Sequence, residues 1–527
     1  MPPKRKRAAK QKPWATIAAE AQAYRDSSLL PIKETIDYTY LNTLLSLDLP
    51  PIKLLPHLSI SRLTSLPPSA LLTALTTTTL TSTDILSGFV QTACLAHHYT
   101  NCLTSLLLPR AKVQAQALDT HLQTTGTPIG ALHGIPISIK SHLSISSEPN
   151  PAGYTAWYPK IAPHDCLVVQ ILTRAGAVIH ARTTEPQGMM QLECASNLYG
   201  VTINPFNTAL SPGGSSGGEG ALLAMQGSCI GVGSDVGGSI RVPAAACGLF
   251  GLKPTGFRVP TTGWSSTPPG ADPVPTVIGP MCRWLEGVEM FMNTVVGAEA
   301  WGVEPALVPM PWRTIDVTPL EGRRLRIGVA VDDGVVFPHP PVTRVLKELM
   351  GKLEGVDGVD VVPFGLYKHD EGWAIASSLY FTDGGEADKK AMEESGEPML
   401  ELTRWIMEND GVKNLTREEL EYWLEEREEY RLEYTKHWNE TGRWDEEQGK
   451  WVDAVDVIIC PVAPGVATQH GTAKYWSYSA IWNLVDYPAL TFPAGKCDKD
   501  RDAKVGRTEF MSDLDVKNWS LCEYEDR

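Results

Sequence analysis

The stretch from Ser211 to Gly220 reads "SPGGSSGGEG", five glycines around two adjacent serines, Ser215 and Ser216. Glycine weakens helix and strand interiors alike, so this density marks a backbone that must pass where side chains would block it, close to a substrate for example. Three chemistries compete for the loop. A phosphate cradle of the P-loop type needs a Lys-Ser/Thr after its second glycine, and Glu219 sits in that region instead. A nucleophile elbow fits both Gly213–Gly217 and Gly214–Gly218 as G-x-S-x-G, but an elbow needs an apolar strand leading into it. The preceding "NPFNTALSP", with two prolines, makes a poor one. The third chemistry draws on two further stretches.

The first is "GIPISIKSH" at 134–142. Alternate residues of a strand share a face, so Ile135, Ile137 and Ile139 point one way and Ser138, Lys140 and His142 the other. Taken alone, such a lysine reads as an edge or solvent-facing residue. The second is "GSDVGGSIRVPAAACG" at 233–248. Here Ser239 reads as the cap of a helix that begins at Ile240, with Pro243 still in the first turn. The N–H groups from Val236 to Ser239 form a nest that suits an anion. The bland reading is an ordinary cap after a tight turn. Together the three stretches offer a lysine, hydroxyl groups and a row of backbone donors, which is what acyl transfer without histidine requires.

Positioning these groups calls for strands and helices in alternation. From Gly130 onward, short β-branched runs such as "AGAVIHARTT" and "GSCIGVGS" alternate with helical patterns such as "DCLVVQILTRAG". "RLRIGVAVDD" and "VDVIICPV" add later strands. "VTRVLKELMGKLEG" is amphipathic, and "REELEYWLEEREEYRLEYTKHWNE" is a long charged helix with a solvated face. "TGWSSTPPGADPVPTVIGP" is a Pro/Gly-rich connector. Residues 14–125 read as a helical region, with Ser82 or Thr83 as the cap of "STDILSGFVQTACLAHHYTNCLTSLL". The reading divides the chain into a basic tail (1–13), this helical region (14–125) and one α/β catalytic unit (126–527).

Composition narrows the classes further. The 527 residues carry 61 acidic and 46 basic side chains, a net charge of −15, which speaks against nucleic-acid binding through the overall field. The basic run "PPKRKRAAKQK" reads as a disordered tail or as a nuclear-localisation patch. No secretory h-region and no apolar window of spanning length is present, so a cytoplasmic protein is expected. Ten cysteines include no C-x-x-C pair, and Cys94 with His97 lacks two further ligands, so no metal is expected and the thiols read as reduced and packed.

The run "GGSSGGEGALLAMQGSCIGVGSDVGGSIRVPAA" resembles the signature of the amidase signature family, and "GIPISIK" resembles the stretch that carries its lysine. The likeness extends through "TTEPQGMMQLECASNLYGVTINPFN", "CGLFGLKPT" and "IGPMCR", more weakly to "VDVIICPVAPG" and "NLVDYPALTFPAG". It is similar above all to fungal acetamidase-like enzymes and fatty acid amide hydrolases. The resemblance implies a large mixed, twisted β-sheet flanked by helices on both faces, and hydrolysis of a small-molecule amide to acid and ammonia or amine with no cofactor. It implies Lys140 as base, Ser215 as bridging serine after a cis peptide bond, and Ser239 as nucleophile. Val236, Gly237, Gly238 and Ser239 would form the oxyanion hole, with Met189 and Met190 near the substrate carbonyl and Asp235–Arg241 as a supporting ion pair. A homodimer stays open.

Departures from the pattern are specific. Ser141 follows the lysine where the family usually has an acidic residue, and Glu185 stands in "TTEP" where Asn or a similar residue is common. The chain ends at "MSDLDVKNWSLCEYEDR", without the apolar "G-x-P-x-x-L-Q" strand and closing helix usual in the family, so the catalytic unit is expected to be C-terminally truncated and less stable for it. Two rival functions remain: a glutamine-dependent tRNA amidotransferase subunit, and an inactive truncated scaffold.

Overall fold

A computed structural model describes residues 12–33, 50–57, 61–266, 273–313, 324–504 and 506–522. The basic run through residue 11 and the middle of the Pro/Gly-rich connector, 267–272, lie outside these residues.

The chain opens with helix α1 (Trp14–Lys33) and, later, α2 (Ser82–Thr100). The cap of α2 is neither Ser82 nor Thr83 but Thr81, which forms a capping box with Asp84. The Asp84 N–H donates to Thr81 Oγ1 at 3.0 Å, and the Thr81 N–H donates back to Asp84 Oδ2 at 3.0 Å. Thr83 Oγ1 instead donates to Asp119 Oδ2 at 2.7 Å. Strand β1 (Leu103–Leu106) and helix α3 (Leu108–Thr125) follow. The span read as helical therefore contributes a strand. Its four residues are too few to show a period, and Asn101 in a left-handed conformation ends the helix before it.

The rest alternates as the sequence suggests: β2 (Pro136–Lys140), α4 (Leu167–Arg174), β3 (Val178–Thr183), α5 (Gly217–Ala224), β4 (Ile230–Asp235), α6 (Arg241–Ala246), β5 (Phe250–Lys253), β6 (Val277–Cys282) and α7 (Leu285–Gly297). Then come β7 (Leu325–Val329), α8 (Pro340–Glu354), β8 (Val359–Pro363), α9 (His369–Tyr380), α10 (Arg417–Asn439), β9 (Val457–Ile459), α11 (Ser477–Leu484), β10 (Ala489–Thr491) and α12 (Asp513–Ser520). Seven strands form the main sheet in the order β1-β3-β2-β4-β6-β5-β10. β2 is parallel to both β3 and β4, while the remaining neighbours run antiparallel, so the sheet is mixed. A second, parallel sheet has the order β8-β7-β9.

The two faces of β2 divide the labour. Ile137 and Ile139 enter an apolar core with Phe89 of α2, Val168 and Leu172 of α4, and Phe291 of α7. Ser138 and Lys140 face the other way, under α5. The charged helix α10 buries only Tyr430 and Tyr434 and carries pairs such as Arg417–Glu421 on its exposed side. The terminal segment forms α12. Ser512 caps it by accepting from the Asp515 N–H at 3.1 Å, and Asp515 pairs with Arg507 at 2.7 Å.

Thr81→Ala removes one half of the capping box and should lower stability by about 1 kcal/mol. Ser82→Ala, which removes a hydroxyl with no hydrogen-bond partner, should cost less than that. Urea unfolding of the two variants checks the assignment; the reverse ranking would return the cap to Ser82.

Candidate active site

β2 lies inside the sheet between β3 and β4, so Lys140 is not an edge residue; it is fully buried. Its Nζ donates to Ser215 Oγ at 2.5 Å and to Ser234 Oγ at 3.0 Å. Ser234 was not singled out from the sequence. It arrives from β4, where Ile139 pairs with Val232, and only the strand register brings it beside the lysine. Burial pulls the Lys140 ammonium down to about 8, against the opposing pull of Glu185, Cys194, Asp235 and Glu219 nearby.

Ser215 stands in the glycine-rich loop, and the Gly214–Ser215 peptide is cis. A side chain at Gly214 would place its Cβ 2.0 Å from the Glu193 carbonyl oxygen. At that position the missing side chain makes room for neighbouring backbone, not for substrate as the sequence suggested. The Ser216 N–H donates to the Ser239 carbonyl at 3.1 Å, which fastens the two serine-bearing loops to each other. Ser216 Oγ lies 3.4 Å from the Ser234 carbonyl, away from the cavity that Ser215 faces. No strand leads directly into Ser215 or Ser216, so the loop is not a nucleophile elbow.

Ser239 occupies the turn between β4 and α6. The expected cap is replaced: Asp235, not Ser239, accepts from the helix-entry N–H groups, with Gly238 at 2.9 Å and Ile240 at 3.0 Å. α6 itself begins at Arg241, one residue later than the expected Ile240. This corrects the oxyanion-hole reading as well. The Gly238 N–H is spent on Asp235, whereas those of Val236, Gly237 and Ser239 have no acceptor among the described residues. Gly238 has φ +125°, a conformation that side chains disfavour, and a Cβ there would meet Ser479 Oγ at 2.3 Å. The carbonyls of the turn are held from outside: Tyr380 OH donates to Val236 O at 3.0 Å and Ser479 Oγ to Gly237 O at 2.6 Å.

Beneath the turn lies a buried ion pair. Arg241 donates to both Asp235 oxygens, at 2.8 and 3.0 Å, and its Nη2 also reaches Asn483 Oδ1 at 2.6 Å. Burial alone would raise the Asp235 carboxyl, but the guanidinium and the turn's N–H groups hold it well below the usual carboxylate range.

Ser215, Ser239, Ser234, Val236, Met189 and Met190 open onto one cavity of about 80 Å³. The Met189 N–H donates to Pro186 O at 3.1 Å, inside a tight turn in which Met189 itself has φ +62°. Gly237 and Gly238 follow Val236 in the turn that borders the cavity. Trp264 and Tyr380, which sequence reasoning did not reach, complete the cavity wall from distant segments. Elsewhere, His97 Nδ1 accepts from the Leu103 N–H at 3.1 Å. Among the described residues no group of three or more His, Cys, Asp or Glu is placed to hold a metal ion, and no helix is long and apolar enough to cross a membrane.

A mixed sheet with helices on both faces carries, at one small cavity, a buried lysine set against serine hydroxyls. The family model Amidase matches residues 84–509, and the chain belongs to this family, the amidase signature hydrolases, which act on amides. The chain is similar to an acetamidase of Aspergillus oryzae, 33% identical over 517 residues that span 95% of this chain and 91% of that protein. Amidase 1 of Gibberella moniliformis is 36% identical over 450 residues, 84% of each chain. Among solved structures, a fatty acid amide hydrolase superposes with TM-score 0.87 at 29% identity, covering 97% of this chain and 89% of that one.

Asp235→Asn leaves Arg241 as a buried guanidinium without its carboxylate and removes the charged acceptor of the turn. The expected loss is about 3–5 kcal/mol of stability, read by chemical denaturation. A loss under 1 kcal/mol would show that the pair does not hold the turn.

Proposed function

We propose that this hydrolase cleaves small carboxamides through an acyl-enzyme on Ser239, with Ser215 relaying protons and Lys140 as the base. One observation carries the reading: the 2.5 Å contact of Lys140 Nζ with Ser215 Oγ, at a cavity that Ser215 shares with Ser239. Ser239 Oγ attacks the amide carbonyl while its proton passes to Ser215 and on to the neutral lysine. The oxyanion meets the N–H groups of Val236, Gly237 and Ser239, each strong donor contributing about 3–4 kcal/mol. Ser215 then hands a proton to the leaving amine, and water releases the acid by the reverse route.

Burial supports the assignment of the base. A lysine in water is neutral in roughly one molecule in 2,500 at pH 7, whereas a lysine with a pKa near 8 is neutral in roughly one in ten. A cavity of about 80 Å³ suits a short acyl group, in keeping with the acetamidase among the relatives. All ten cysteines are unpaired, which favours a reducing compartment such as the cytoplasm; recovery of a tagged chain from a secreted fraction would reject that placement.

A fluorophosphonate should label Ser239, and Ser239→Ala should abolish both labelling and turnover while the melting temperature stays close to wild type. Peptide mapping decides the matter: an adduct on Ser215 or Ser216 would overturn the assignment.

Activity should rise with pH through a limb near 8, because only the deprotonated lysine accepts the proton. Lys140→Ala should lower kcat by several powers of ten and flatten that limb, and Lys140→Met should do the same with most of the side-chain volume retained. A limb that persists in Lys140→Ala but disappears in His142→Ala would point to a histidine base.

A further inference from the structure

His142 stands two residues past Lys140, where β2 has ended and the chain turns along the cavity. Its backbone is fixed on both sides. The N–H donates to Glu185 Oε2 at 2.9 Å, and the carbonyl accepts from the Ser265 N–H at 2.9 Å. The ring packs against Trp264, with centroids 5.9 Å apart and planes inclined by 37°. Nδ1 lies 3.3 Å from the Ser265 carbonyl oxygen. A carbonyl only accepts, so the proton of the neutral ring belongs on Nδ1 and Nε2 presents a lone pair. Burial and the nearby Lys140 keep the imidazole neutral, well below its ordinary range.

Nε2 is buried and has no hydrogen-bond partner, while the residue lines the same cavity as Ser215 and Ser239. Buried polar atoms are seldom left without a partner, because the desolvation cost is then uncompensated. Glu185 Oε1 and Ser141 Oγ are also unpartnered nearby, but neither residue reaches the cavity wall. His142 therefore combines an unpartnered acceptor nitrogen with a place in the cavity wall.

We propose that His142 is a specificity-determining residue whose Nε2 accepts a hydrogen bond from a hydroxyl or N–H group on a small amide substrate. The preferred substrates are then short carboxamides bearing a donor, rather than plain alkyl amides of equal size. This rests on the hydrolase reading above. The lysine does the proton transfer; His142 selects what is held beside it.

Two near-isosteric pairs test the proposal on either side of the scissile bond: 3-hydroxypropionamide against butyramide, and N-(2-hydroxyethyl)acetamide against N-propylacetamide. Two readouts are compared, kcat/KM and the protection of Ser239 from fluorophosphonate labelling. In the wild type at least one hydroxylated member should be favoured by about tenfold. His142→Phe keeps a ring against Trp264 but removes the acceptor, and should bring that ratio close to one. His142→Gln, which restores an acceptor oxygen, should recover part of it; a purely structural role would not move the ratio in this way. Labelling of Ser239 with no preference in either pair, or with a preference unchanged in His142→Phe, overturns the role of His142 alone. Absence of labelling at Ser239 in the wild type overturns the hydrolase reading, and this inference with it.

Discussion

A lysine amine kept from water in the middle of a sheet governs what can surround it. An ammonium in that position is costly, and the cost is relieved by hydroxyl partners and by loss of the proton. Both are arranged on one face of β2. Lys140 meets Ser215 and Ser234, and one step back along the strand Ser138 meets Glu219, which also accepts from Thr183 at 2.8 Å. Burial pushes the Glu219 carboxyl up to about 8, against the hydrogen bonds from Ser138 and Thr183 and the charge of Lys140. The opposite face of the same strand is aliphatic and closes the core. A five-residue strand thus separates the apolar interior from a polar layer one side chain deep.

The second hydroxyl depends on a different kind of support. The turn that carries Ser239 leaves β4 and enters α6 within a few residues, and its carbonyls and its charge are tied down from outside. Asp235 gathers the helix-entry donors, Arg241 neutralises Asp235, and Asn483 on α11 completes the guanidinium's bonds. Tyr380 and Ser479 take the carbonyls of Val236 and Gly237. The turn is thereby braced by α9 and α11, which lie more than a hundred residues downstream in the chain.

Two of the three departures from the family pattern lie on neighbouring segments, joined by the Ser141 N–H, which donates to Thr183 O at 3.2 Å. Ser141 stands where an acidic residue usually follows the lysine. Glu185, beyond the end of the adjacent strand β3, reaches the His142 N–H at 2.9 Å. Its carboxyl, pushed up to about 7 by burial against the pull of Lys140 and Arg182, places an acidic group close to the lysine from β3 instead of β2.

Much of this was legible in the residues themselves. Alternation along "GIPISIKSH" placed Ser138 and Lys140 opposite the isoleucines, because the period of a strand is set by local covalent geometry. The strand–turn–helix around Ser239 and the glycine-rich loop at Ser215 were likewise readable, as were the long helices. What the sequence misplaced has a common cause. Ser234, the wall formed by Trp264 and Tyr380, and the strand at Leu103–Leu106 all depend on strand order and register. The capture of the Gly238 N–H by Asp235, the cap at Thr81, and Gly214 pressed against Glu193 depend on which of several nearby groups wins a bond or a space. Local patterns establish which residue types are available and which face they occupy. Which strand lies beside which, and which donor finds which acceptor, is decided by packing between segments far apart in the chain, and that only the tertiary structure settles.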